Sequence, residues 1–150
     1  MSFKYIKGQD SAISFLKSSI RNNRVAHAYI FSGPDGIGKR LAAVNFAKAL
    51  ICGLKLADGC DECPPCQRID AMTHPDVIVL EPEKEGSSIK IDDVRRLIKN
   101  IYLKPFEAKK KVYIIEKAHE MKHEAAGALL KTLEEPPRDS VLILITDNLK

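Results

Sequence analysis

Gly33-Pro34-Asp35-Gly36-Ile37-Gly38-Lys39 follows the pattern G-x-x-x-x-G-K and stands between two runs of different period. Ala26 to Phe31, before it, is short, apolar and partly aromatic, which reads as a buried strand. Lys39 to Leu50, after it, is apolar at Leu41, Ala42, Val44, Phe46, Ala47 and Leu50, which reads as a helix. A strand that feeds a helix through glycines is the setting in which this pattern binds phosphate. The glycines let backbone N–H groups curl toward an anion. The helix adds the partial positive charge of its N-terminus, and Lys39 reaches the β- and γ-phosphates. All seven residues are therefore candidate nucleotide-binding positions.

The next position departs from the pattern. Ser or Thr ordinarily stands there, and its hydroxyl binds Mg²⁺. Here it is Arg40, which ligates no cation and brings positive charge toward the metal position. A second departure lies further along. The apolar strand Val112 to Ile115 runs into Glu116-Lys117-Ala118-His119. In phosphate-loop ATPases such a strand ends in an Asp that holds Mg²⁺, followed by a Glu that polarises the attacking water. Glu116 is the longer carboxylate in the first place. Lys117 fills the second, and a lysine ammonium offers no base. His119 is three residues on, and reads as a loop histidine packed beside the site. These changes leave phosphate binding open and count against magnesium-dependent hydrolysis.

The rest of the chain alternates helix-like and strand-like runs. Gln9 to Arg24, Ile91 to Leu103 and His123 to Glu135 carry apolar faces at three- and four-residue steps, the last stopped by Pro136-Pro137. Asp76 to Leu80 and Val141 to Ile145 are continuous apolar runs, as strands covered on both faces are. The expected fold is α/β, a mainly parallel sheet flanked by helices. Lys109-Lys110-Lys111, just before a strand, reads as a solvated turn.

Cys52 to Cys66 breaks the alternation. Cys52, Cys60, Cys63 and Cys66 have the spacing C-x7-C-x2-C-x2-C, and all four cysteines of the chain fall in this stretch. Two-residue gaps let thiolates converge on one tetrahedral ion, and four ligands leave no open place for chemistry. The reading is a small structural zinc module inserted at about residues 52–66.

Composition narrows the class. With 45% hydrophobic and 29% charged residues, the 150-residue chain has the make-up of about one globular domain. Its net charge of +4 is interspersed, with no basic stripe and only nine aromatic residues. That argues against a nucleic-acid binder with a vestigial phosphate loop. Met1 to Lys7 has no apolar leader character and no run is long enough for a bilayer, so the expected compartment is the cytoplasm and no membrane partner is expected.

The whole length resembles the clamp-loader AAA+ ATPases of bacterial DNA polymerase III, a P-loop NTPase family. The resemblance rests on His27-Ala28-Tyr29, Gly33 to Lys39, the four-cysteine insert, Ile91-Asp92, Leu103-Lys104-Pro105 and Lys111-Val112-Tyr113-Ile114-Ile115. Its most specific part is Ala125-Ala126-Gly127-Ala128-Leu129-Leu130-Lys131-Thr132-Leu133-Glu134-Glu135-Pro136-Pro137, similar to N-A-L-L-K-x-L-E-E-P-P. Arg40, Glu116 and Lys117 resemble the delta-prime branch, which tolerates damaged motifs, more than the tau/gamma motor. The resemblance implies a stator that helps load the sliding clamp onto primed DNA in a pentamer with delta and tau/gamma subunits. It implies Zn as a structural ion, ATP or ADP as a possible ligand, and Thr146 near a sensor position. It also implies that residues 1–150 are an N-terminal AAA+ domain, with the lid, the collar domain and a Ser-Arg-Cys segment following residue 150.

Overall fold

Strand and helix alternate because the apolar period changes from two-sided burial to one-sided burial along the chain. The computed structural model describes residues 3, 6, 8–52, 59–84 and 86–147. The elements run in the order α1 (Asp10–Arg21), β1 (Ala28–Ser32), α2 (Lys39–Ile51), α3 (Pro64–Asp70), β2 (Val77–Leu80), α4 (Ile91–Ile101), β3 (Lys111–Ile115), α5 (His123–Glu134) and β4 (Ser140–Thr146). A 3-10 turn over Ala118–Glu120 lies between β3 and α5.

The sheet is parallel throughout, in the order β1-β4-β3-β2. Alternate residues of each inner strand face opposite layers. Val112, Ile114, Val141, Ile143 and Ile145 pack with Phe46, Ala43 and Ala47 of α2 and Leu16 of α1. Tyr113, Ile115 and Leu142 pack with Val94, Leu97 and Ile101 of α4 and Leu129 of α5. These two cores, one on each face, explain why the inner strands read as unbroken apolar runs.

Two features differ from the sequence reading. The segment read as a break through Cys66 holds α3, which Pro64 and Pro65 open; proline suits a first helical turn because the N–H it lacks has no intrahelical partner there. Lys111 is the second correction. It is not part of a solvated turn but the first residue of β3, with only 4% of its surface exposed. Its ammonium donates to Asn100 O at 2.6 Å, Asn100 Oδ1 at 2.8 Å and Leu103 O at 3.4 Å. It thereby supplies a cation to the carbonyl end of α4, where the helix dipole favours one. Lys109 and Lys110 remain on the surface side of this junction.

Candidate functional site: a glycine-rich loop on the rim of the sheet

In a parallel sheet every strand's carboxyl end opens on the same rim, so residues that follow the strands meet there. β1 is followed by Gly33, β2 by Glu81, β3 by Glu116, and β4 ends in Thr146 followed by Asp147. Asp35, Gly36, Gly38, Lys39, Arg40, Glu116, Lys117 and Asp147 line a cavity of about 260 Å³ on that rim.

The loop has the backbone that the glycine pattern requires. Gly36 and Gly38 have φ of +86° and +96°, a region that disfavours side chains. A Cβ on Gly33 would come within 2.4 Å of Ile37 Cδ1. Gly38 caps the N-terminus of α2 with no side-chain cap. The amides of Gly36, Ile37, Gly38 and Lys39 make no hydrogen bond among the described residues, which leaves them available to an anion at the helix start. Pro34 shapes this turn without donating to it, because proline has no N–H, and the Ile37 side chain fills the space beside Gly33.

Lys39 lies across the loop. Its ammonium donates to Gly33 O, to Thr146 O at 3.1 Å and to Asp147 Oδ1 at 2.8 Å. The Lys39 hydrogen bond holds the Asp147 carboxyl below the usual carboxylate range, with smaller help from Asp35 and His119. Thr146 thus meets Lys39 through its main-chain carbonyl. Arg40 points the other way, to Glu81 Oε2 at 2.8 Å and to Glu116 Oε1 at 3.7 Å. Burial pushes the Glu116 carboxyl up from its ordinary value, while Arg40 opposes the shift. Lys117 has a left-handed backbone, φ +51° and ψ +46°, at the start of the 3-10 turn. His119 stands at the edge: its Nδ1 accepts from Asp147 N at 3.3 Å, and its Nε2 lies 3.4 Å from Asp147 Oδ2.

Sequence reasoning misses Asp147 and Glu81. The signal that finds them is positional: each is the acidic residue directly after a strand, as Glu116 is.

The second constellation is the cysteine cluster. The Sγ atoms of Cys52, Cys60, Cys63 and Cys66 all lie within 4.8 Å of one another, and none is in a disulfide. Cys52 and Cys63 are 3.9 Å apart, close to the ~3.8 Å edge of a tetrahedron with 2.3 Å metal–sulfur bonds. Backbone N–H groups of Cys63 and Glu62 bring the Cys60 thiol down to about 7, whereas burial pushes Cys66 up to about 12. The four could hold one metal ion in a closed set. Behind them Lys48, fully buried, bonds Asp61 and, at 2.8 Å, Asp70 Oδ1, tying α2 to the cysteine segment and to α3. Burial works against the Lys48 charge, and the two carboxylates more than offset it, so its pKa is raised.

Residues 8–150 match the family model described as DNA polymerase III, delta subunit. The chain belongs to this DNA polymerase III delta-subunit family. The delta-family chain is 47% identical over 122 residues to DNA polymerase III subunit delta' of Pseudomonas aeruginosa, covering 81% of the chain and 37% of that protein. It is 38% identical over 146 residues to subunit tau/gamma of Haemophilus influenzae, covering 96% of the chain and 21% of that protein. A solved gamma subunit-related protein of DNA polymerase III from Thermotoga maritima superposes with a TM-score of 0.63 at 27% identity, covering 90% of this chain and 39% of that one. The delta-family chain therefore spans well under half the length of these relatives. No helix among its described residues is long and apolar enough to cross a membrane.

Proposed function

We propose that this chain is the nucleotide-binding-domain part of a delta-prime-like clamp-loader subunit that acts as a stator, without turning over ATP. It works with delta and tau/gamma subunits to place the sliding clamp on primed DNA. The observation that carries this reading is the ion cluster at the loop. Arg40 stands where a metal-binding hydroxyl belongs and contacts Glu116, and Lys117 stands where a base belongs. The glycine curl, Lys39 and the free amides still fit ATP or ADP, whose phosphates would lie against the start of α2. The four cysteines fit zinc, a structural ion here because they leave no open coordination place.

The test is a clamp loader reconstituted with the protein in the delta-prime place. Omitting it abolishes clamp loading. Lys39→Ala in it leaves the ATP turnover of the complex unchanged. A loss of turnover with Lys39→Ala would assign the chain to the motor class, the second reading, which the similarity to a tau/gamma subunit keeps in view.

A further inference from the structure

The magnesium position that a phosphate loop ordinarily presents does not fit the residues of this one. The hydroxyl ligand is replaced by Arg40, in the first turn of α2. The strand-end carboxylate, Glu116, already has a guanidinium 3.7 Å from Oε1, and Glu81 holds that guanidinium at 2.8 Å from the other side. Glu116 Oε1 is buried and makes no hydrogen bond among the described residues, so it faces the cation without another partner. A divalent ion brought to Glu116 would meet a fixed positive charge instead of a ligand.

The same arrangement suits a different form of the ligand. A triphosphate without magnesium carries more negative charge than its metal complex and calls for more cations from the protein. Lys39, Arg40 and Lys117 all line the rim cavity. A guanidinium binds phosphate oxygens through two parallel N–H bonds, and its planar fork is set before the ligand arrives. Glu81 and Glu116 hold the half-exposed Arg40 guanidinium beside the cavity that Arg40 lines.

We propose that Arg40 is a built-in counter-ion that replaces the divalent metal, so that the loop takes a nucleoside polyphosphate in its metal-free form. The proposal rests on the reading of Gly33 to Lys39 as a phosphate cradle. The alternative role for Arg40 is a surface ion pair with Glu81 that has no part in ligand binding.

The experiment is calorimetric titration of the chain with ATP, once in EDTA and once in excess magnesium at equal ionic strength. The expected result is binding in EDTA on the order of tenfold tighter than in magnesium, the scale of one bond to a charged group. Arg40→Thr reverses the order, because it restores a hydroxyl and removes the competing charge. Arg40→Lys keeps the metal-free preference, and unchanged circular dichroism shows that both variants fold. Tighter binding in magnesium by the unaltered chain would overturn this proposal alone. So would an Arg40→Thr variant with the unaltered chain's metal response. An absence of heat in both buffers would overturn it together with the nucleotide-binding reading.

Discussion

On the proposed reading of the loop, Asp147 would compete with phosphate for the loop lysine, because Lys39 cannot donate to the carboxylate and to a full set of phosphate oxygens at once. Asp147→Asn removes that charge while keeping the shape, and pyrophosphate affinity should rise severalfold in a titration at low salt. Asp76, unlike the exposed Asp147, is a buried acid. It is 1% exposed and accepts from the amides of Phe106 at 2.6 Å, Glu107 at 2.9 Å and Ala108 at 2.8 Å. Burial alone would raise its pKa; the three amides, led by Ala108, outweigh it and hold the carboxyl below its ordinary value. Its contribution to stability is therefore complete above the ordinary carboxylate range and is lost as pH falls toward the depressed folded value. Asp76→Asn should cost roughly 2 kcal/mol in urea unfolding at neutral pH and flatten the acid limb of the stability curve. The glycines, Lys39 and Arg40 are legible in the sequence because a phosphate loop fixes their spacing, and Glu116 because it follows an apolar strand. Asp147 and Glu81 are not, since they reach Lys39 and Arg40 across 108 and 41 residues, and only the sheet brings them together.

Helix α2 carries both constellations, with the phosphate cradle at its first turn and Lys48 near its last. Lys48 belongs to no motif in the sequence, yet it is fully buried between Asp61 and Asp70. Its position makes the cysteine segment part of the core layer rather than a loose appendage. Lys48→Met removes the buried cation that bonds both Asp61 and Asp70. Because both are about a third exposed, the penalty is discounted to about 2 kcal/mol, read by thermal melting, and metal release to a chelator should quicken. The thiols set a pH dependence of their own. Each must lose its proton to bind metal, Cys60 near 7 most readily and Cys66 near 12 least. Zinc affinity should therefore rise with pH and weaken as the solution is acidified, which chelator competition at several pH values measures. The cysteine spacing shows the ligand set in advance, whereas α3 is masked by its two opening prolines, which read equally well as a turn.

At the scale of the molecule, the described residues form a four-stranded parallel sheet with a core on each face, and that class is readable from the alternation of runs. The strand order is not, because periodicity reports which residues are covered but not which strands adjoin. The order matters for how the molecule comes into being. Among the described residues β1 pairs only with β4, Ala28 opposite Leu142 and Ser32 opposite Thr146. During synthesis the strand that leads into the phosphate loop is made early, yet its neighbour is made more than a hundred residues later. Until then β1 has no edge to join, and closing so long a loop is a slow step in folding. The loop that follows β1 is thus translated well before it can take its final shape. A cell making this protein must shelter an apolar, strand-forming segment through nearly the whole interval between those two events.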